Sequence, residues 1–328
     1  MKVAVVGATG VVGETIVRVL EERKVPVERV GLFASRTRDN VQATTPEALR
    51  DFDAVFFAGS EDASERYAPA ILERGAVVID NSSTYRMRAD VPLIVPEVNA
   101  HALRSEHRLF PVGNCTAIIL CMGLAPVRDA AGLRSVRVAT YQAISGAGRA
   151  ALEEFDRGEG DVVLNVVPQI GSFDENGETS EELKVAEETR KVLELPNLYI
   201  SATTVRVPVR TAHSEAVFFE TERHTSVDEL AAAFERAPGI VFHRSGIVTP
   251  RDVENTDFVH VARLRPCHAP SHAEVSKHPE VSKGKSFQMW LVGDQLRKGA
   301  ATNGVQILEL LLANGTLRQA QGGSTGSP

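Results

Sequence analysis

Cys115 stands in Gly113-Asn114-Cys115-Thr116, directly before the apolar run Ala117 to Leu124. A thiol at the start of a helix meets the positive end of the backbone dipole, which favours the nucleophilic thiolate. Buried filler is the plainer reading of an apolar-flanked cysteine, and it suits Cys121 inside the same run. His213, in Arg210-Thr211-Ala212-His213-Ser214-Glu215, precedes the apolar strand Ala216 to Phe219. There an imidazole can take the thiol proton and return it, although a surface histidine is the bland alternative. Arg206 interrupts the apolar stretch Val205-Arg206-Val207-Pro208-Val209, so its guanidinium needs a partner: a substrate carboxylate, or an internal ion pair. Gln142 lies where Thr140-Tyr141-Gln142 runs into Ala143-Ile144-Ser145-Gly146-Ala147-Gly148, either a turn that holds a ligand or a turn only. Taken together, these residue types describe acyl chemistry on a thiol, with a base and a carboxylate clamp.

Such groups need rigid elements to hold them. Val3 to Val6 is a continuous apolar run, as in a parallel strand buried on both faces. Gly7-Ala8-Thr9-Gly10-Val11-Val12-Gly13 follows, then a helical pattern over Glu14 to Glu22 with Ile16, Val17, Val19 and Leu20 apolar. Strand, glycine turn and helix in that order predict a dinucleotide site, with pyrophosphate at the helix N-terminus. The next strand, Val30 to Ala34, ends in Ser35-Arg36-Thr37-Arg38, where an acidic ribose ligand would stand in an NAD site. Hydroxyls and arginines there favour a 2′-phosphate, hence NADP, with a solvated basic turn as the competing reading.

Further strands at Ala54 to Ala58 and Ala76 to Asp80, around a helical stretch at Ser64 to Glu73, continue the parallel pattern. From Arg134 the character changes to strand-like runs with longer connections: Val136 to Tyr141, Thr203 to Val209, Ala216 to Thr221 and Val259 to Leu264. The helical pattern Ala300 to Ala313 is placed to return to the first domain. The predicted fold is α/β: a Rossmann-type doubly wound parallel sheet with an inserted α+β catalytic and dimerisation domain. Residues 1–115 plus 300–318 form the first domain and 116–299 the second, with a disordered Gly/Ser-rich tail at 319–328.

Composition narrows the class. A chain of 328 residues accommodates two domains, and a net charge of -7 leaves no footprint for nucleic acid or an anionic membrane. No segment reaches the roughly 18–20 apolar residues of a membrane helix, and the N-terminus reads as a strand and not a signal peptide. Three scattered cysteines make no disulfide framework, so a reducing cytoplasm is expected. Cys267-His268 with His272 lacks an evident fourth ligand and reads as a surface loop, so no metal is expected.

Longer motifs run through the whole chain in one order. Gly7 to Gly13, Asp80-Asn81-Ser82-Ser83-Thr84-Tyr85-Arg86-Met87, Val95-Pro96-Glu97-Val98-Asn99, Gly113 to Thr116, Arg206 to Glu215 and Leu296-Arg297-Lys298-Gly299-Ala300-Ala301-Thr302-Asn303 resemble aspartate-semialdehyde dehydrogenase from Met1 to about Leu312. That resemblance implies an NADPH-dependent enzyme that reductively dephosphorylates L-aspartyl-4-phosphate to aspartate semialdehyde, in the biosynthesis of diaminopimelate, lysine, threonine and methionine. Cys115 would carry the acyl-thioester, His213 would be the acid/base, and Gln142 would orient the acyl group. Asn114 and Arg206 would hold the substrate, with Arg206 on its α-carboxylate and Glu181 (or its neighbour Glu182) on its amino group. Arg86 and Lys184 would bind the phosphate. Gly7, Thr9, Gly10, Val11, Val12, Gly13, Ser35, Arg36, Ser145, Gly146 and Asn303 would contact NADP. A homodimer or homotetramer is implied. Two departures stand out: a hairpin's worth of residues is missing between Arg38 and Asp53, and Ala212 stands where glycine is common. The alternatives are an N-acetyl-glutamyl-phosphate reductase-like enzyme, which shares fold and thioester chemistry, and a non-catalytic dinucleotide sensor.

Overall fold

The computed structural model describes residues 1–267 and 284–317. The tail at 319–328 and the His268 and His272 part of the cysteine–histidine stretch lie outside the described residues. The chain divides into two compact units, one of Met1–Pro96, Ala100–Val112 and the segment from Ala301 on, the other of Glu97–Asn99 and Gly113–Ala300.

The first unit is built on six parallel strands: β1 (Lys2–Val6), β2 (Arg29–Ala34), β3 (Gln42–Ala43), β4 (Ala54–Phe57), β5 (Val77–Asp80) and β6 (Leu109–Pro111). Their spatial order is β3-β2-β1-β4-β5-β6, which is the order of dinucleotide-binding sheets. Helices cover both faces, so the strands carry apolar residues at successive positions. Ala4, Val6, Val55, Phe57 and Val78 share a buried cluster with Ala68 and Ile71 of α2 (Glu61–Glu73). The opposite face meets α1 (Val11–Glu22) and the last helix, whose Gly304 lies against Phe56, Ile79 and Val112. Arg23 after α1 grips Glu309 through two hydrogen bonds of 2.9 and 2.7 Å and ties those helices together.

Between β2 and β3 the chain turns back within residues 35–41, with Arg38 bridged to Val41, and β3 is only two residues long. The short stretch noted in the sequence therefore trims the sheet edge. The remaining strands keep their order. Asp80, buried at the end of β5, accepts hydrogen bonds from Ser64 Oγ (2.6 Å), Ser82 N (2.8 Å) and Ser82 Oγ (2.7 Å). Those bonds fix the loop that carries Arg86.

The second unit holds a mixed sheet in the order β10-β11-β12-β9-β7-β8. In chain order its strands are β7 (Ser135–Gln142), β8 (Tyr199–Arg206), β9 (His213–Thr225), β10 (Ile240–Phe242), β11 (Val259–Pro266) and β12 (Gly284–Gly293). The outer pairs β10/β11 and β7/β8 are parallel, and the inner pairings are antiparallel. One face is covered by α4 (Cys115–Ala131), α6 (Ser180–Leu193) and α7 (Val227–Arg236). Burial of α4 extends almost all round, which explains its unbroken apolar run. On the other face the short helix Pro250–Val253 packs Val253 against Ala262, Val292 and Trp290, while Tyr141, Phe218 and Tyr199 are 38, 43 and 56 % exposed and Trp290 is half-buried beside Tyr141. Short helices α3 (Pro96–Asn99), α5 (Arg149–Asp156) and α8 (Pro250–Val253) fill the connections. The closing helix, α9 (Thr302–Ala313), belongs to the first unit.

Two elements differ from the sequence reading for identifiable reasons. β8 runs from Tyr199 to Arg206 and not on to Val209, because Pro208 has no N–H to continue a ladder. The last helix begins at Thr302, after a wide π turn over Arg297–Ala301, whose Gly299 lies against Cys115 in the second unit.

Candidate active site

Asn114 caps α4: its Oδ1 accepts from Thr116 N (3.0 Å) and Ala117 N (3.1 Å). The cap makes Cys115 the first residue of a 17-residue helix, where the backbone dipole favours a thiolate. The thiol is half-buried. Burial pushes the Cys121 thiol far up, out of reach of nucleophilic chemistry near neutrality. Opposite Cys115, Nε2 of His213 lies 3.4 Å from Sγ. His213 is the first residue of β9 and is fully buried, and its Nδ1 accepts from Ala143 N at 3.0 Å. Burial, and then the charge of Arg206, push the imidazole pKa well below its ordinary value.

Gln142 and Arg206 end the adjacent parallel strands β7 and β8 and face each other in the register. Nε2 of Gln142 donates to Glu181 Oε1 (3.1 Å), which also accepts from Asn114 Nδ2 (3.0 Å). Glu182 faces elsewhere, because its carboxylate closes the cap of α6 on Thr179 N (2.7 Å) and receives Thr204 N (3.0 Å). The Thr179-x-x-Glu182 spacing is itself the signal that assigns Glu182 to the cap. Arg206 donates to Ala143 O at 2.7 Å. Burial lowers its pKa, opposed by the negative charges of Cys115 and Glu181, and a guanidinium stays charged regardless. Arg206 also borders a cavity of about 350 Å³ with Ile144, Ala147, Phe155 and Ile170. Lys184 lies half-buried one helical turn beyond Glu181.

Two positioning residues carry no local sequence signal. Gln295 Oε1 accepts from Ala212 N (2.8 Å), and its Nε2 donates to Ser145 Oγ, so it joins the chain before His213 to the turn after Gln142. Glu188 accepts from Asn114 N. Gly146 keeps space open: a Cβ there would meet Arg206 Nη1 at 3.0 Å and His213 Cε1 at 3.1 Å. The second unit thus brings Asn114, Cys115, Gln142, Ser145, Gly146, Glu181, Arg206 and His213 together.

The remaining expected site residues belong to the first unit. Gly7 has φ +84°, and a Cβ on Gly13 would stand 2.8 Å from Ala8 Cα, so both positions need glycine. Gly10 begins α1 without a side-chain cap, leaving the first-turn N–H groups of Val11, Val12 and Gly13 for a ligand. Gly7, Thr9, Gly10 and Ser35 line a cavity of about 560 Å³ with Thr44 and Arg66, two residues the sequence did not single out. A dinucleotide pyrophosphate fits that cradle. Arg36 is exposed, and Arg86 is buried and donates to Asn81 O (2.8 Å). Asn303 donates from Nδ2 to Ile94 O (2.9 Å) in the same unit. Among the described residues no group of three or more His, Cys, Asp or Glu side chains could hold a metal ion. No helix among them is long and apolar enough to cross a membrane.

The semialdehyde dehydrogenase NAD binding domain model matches residues 2–106, and the semialdehyde dehydrogenase dimerisation domain model matches residues 124–298. Aspartate-semialdehyde dehydrogenase of Aquifex aeolicus is 37% identical, covering 96% of this chain and 99% of that one. The chain belongs to the aspartate-semialdehyde dehydrogenase family. Its relative in Bacillus subtilis is 33% identical over 95% of this chain and 97% of its own. The structure of the Vibrio cholerae aspartate semialdehyde dehydrogenase II complexed with ASA superposes with a TM-score of 0.86 at 34% identity, covering 95% of this chain and 98% of that one. Membership makes the chain an oxidoreductase with a nicotinamide dinucleotide cofactor and a small-molecule substrate, and favours neither the reductase-like nor the sensor alternative.

Proposed function

We propose that the chain converts L-aspartyl-4-phosphate and NADPH to L-aspartate 4-semialdehyde, NADP and phosphate, in the route to diaminopimelate, lysine, threonine and methionine. The observation that carries the reading is the Cys115 Sγ to His213 Nε2 approach of 3.4 Å at the start of a buried helix. Asn114, Gln142, Glu181 and Arg206 gathered around it add the polar set an amino-acid substrate requires.

In this account Cys115 attacks the acyl carbon: an S–C bond forms, the C–O bond to phosphate breaks, and a thioester remains. Arg206 holds the α-carboxylate as a fork-shaped cation and Glu181 receives the α-ammonium group. Gln142 orients the acyl oxygen, and Arg86 and Lys184 supply charge to the departing phosphate. Gly7, Thr9, Gly10, Val11, Val12, Gly13, Ser35, Arg36, Ser145, Gly146 and Asn303 would hold the dinucleotide. When bound, NADPH supplies a hydride to the thioester carbon. His213 acts as the acid/base: it takes the proton from the thiohemiacetal hydroxyl as the C–S bond breaks, which frees the aldehyde and restores Cys115.

NADP over NAD is favoured by Ser35 and Arg36 after β2, together with Arg66 on the cavity wall. The first unit would serve the cofactor, and the second would serve chemistry and pairing. A homodimer would form through the uncovered sheet face around Tyr141, Phe218 and Trp290, with a tetramer built on that pair. Free cysteines suit a cytoplasmic setting. The test is NADP reduction in the presence of aspartate semialdehyde and phosphate. Phosphate-dependent reduction by the wild type, lost in Cys115→Ala, is the expected result; no reduction with aspartate semialdehyde overturns the assignment.

A further inference from the structure

Glu97 and Lys298 fall in two stretches that the sequence marks out, Val95 to Asn99 and Leu296 to Asn303, and neither has a part in the chemistry described above. Both belong to the second unit, Glu97 on α3 and Lys298 in the π turn Arg297–Ala301. Although 201 residues separate them, Lys298 Nζ donates to Glu97 Oε2 at 2.5 Å. The Lys298 side chain is fully buried and that of Glu97 is 11 % exposed. An ammonium group this deep persists only when paired, and a buried pair adds little net stability, since apolar side chains of similar volume often do as well. What such a pair supplies is a fixed distance between two segments of chain.

Both ends of the pair are held. A Cβ on Gly239, which has φ +72°, would stand 3.2 Å from Glu97 Oε1 and 3.3 Å from Glu97 Cγ, so the carboxylate is pressed against the turn before β10. The start of the π turn is anchored separately. Asp294 Oδ1 accepts from Leu296 N (2.9 Å) and Arg297 N (3.2 Å), and Arg297 Nε donates to Asp257 Oδ1 (2.8 Å). Lys298 is the next fixed point along the turn, and Gly299 follows it directly.

Gly299 is where the turn meets the nucleophile. A Cβ there would stand 3.0 Å from Cys115 Cβ and 3.3 Å from Cys115 O, so no methyl group fits between them. Cys115 is thus bounded by Gly299, while its Sγ lies 3.4 Å from His213 Nε2. Were the turn to recede, the thiol would gain room to rotate into another staggered well, away from the imidazole.

We propose that the buried Lys298–Glu97 ion pair is a positioning pair for the nucleophile: it holds the π turn against Cys115 and so keeps Sγ aimed at His213. It acts through the backbone of Gly299. The kinetic consequence rests on the acyl-thioester reading above; the effect on the thiol does not.

Removing one partner leaves the other without its counter-charge, so Lys298→Met and Glu97→Gln are each expected to lower the melting temperature. The double variant buries neither charge and is expected to melt close to the wild type. With a structural role only, chemistry would return together with stability. With a positioning role it stays impaired. Alkylation of Cys115 by iodoacetamide near neutral pH, followed on the Cys115 peptide by mass analysis, is expected to remain slow in the double variant. Its kcat is expected to remain about tenfold down with little change in KM, as for a displaced reacting group. Wild-type alkylation in a stable double variant overturns the proposal. Glu97→Asp decides the matter if the double variant is unstable, because it keeps both charges and shortens the tether by one methylene group. Slower alkylation at an almost unchanged melting temperature is expected; alkylation at the wild-type rate overturns the proposal. The alkylation needs neither substrate nor cofactor, so it tests the pair even if no reduction of NADP is seen with aspartate semialdehyde.

Discussion

Burial separates residues of one type into different chemistries. Cys115 and Cys121 share a helix, but the first is half-exposed at its start and the second is sealed within it with its thiol pKa driven up. The sequence allowed that division because only Cys115 stood among small polar residues. It gave no hint of Glu215, whose two carboxyl oxygens are buried without a hydrogen-bond partner and whose pKa is raised well above 4.5. A raised folded pKa means that the folded chain holds a proton which the unfolded chain releases. Stability from that proton is present below the unfolded pKa and is lost as pH rises through the folded one. Glu215→Gln is therefore expected to raise the urea midpoint near neutral pH while leaving it almost unchanged at about pH 4, where the carboxyl of the unfolded chain is largely protonated. Equal shifts at both pH values would show that the carboxyl does not titrate in this way.

Strand and helix ends do the positioning. Cys115, Gln142, Arg206 and His213 each stand at the first or last residue of an element: α4, β7, β8 and β9. The first unit's strands were legible because burial on both faces leaves continuous apolar runs. β12 was not assigned from the sequence: Ser286, Gln288 and Trp290 alternate with Phe287, Met289 and Leu291, and its pairing with β9 links residues far apart in the chain. Gln295 escaped for the same reason, since its partners Ser145 and Ala212 lie 150 and 83 residues away. The motif around Gly299 was legible as a pattern only, and the structure supplies its cause. A Cβ at Gly299 would stand 3.0 Å from Cys115 Cβ and 3.3 Å from its Cα. Gly299→Ala should displace the nucleophile and lower kcat by about 10²-fold, the scale of an ångström-level misplacement, with only a small change in melting temperature. Steady-state kinetics and a thermal melt together check this; unaltered kcat would show that Cys115 tolerates the crowding.

On the scale of the whole molecule, the first sheet has helices on both faces, while the second has three long helices on one face and only the short α8 packed on part of the other. The alternation along β7 and β9 sends Gln142, His213 and Glu215 to the covered face and Tyr141, Ala216 and Phe218 to the open one. An apolar face left uncovered within a chain is a site for association. Phe218→Arg, placed at its centre, is expected to shift the protein from dimer to monomer in sedimentation velocity. An unchanged mass at the same concentration would place the pairing surface elsewhere. The central claim is that Cys115 carries the acyl group between the phosphate and hydride steps. Its most direct test is a single turnover of aspartate semialdehyde with NADP in the absence of phosphate, followed by peptide mass analysis. The account predicts a burst of about one NADPH per active site, set by the single thiol that each site can acylate, with the acyl adduct on Cys115 and its release on adding phosphate. An adduct on another residue, or turnover that proceeds without phosphate and leaves Cys115 unmodified, would contradict it.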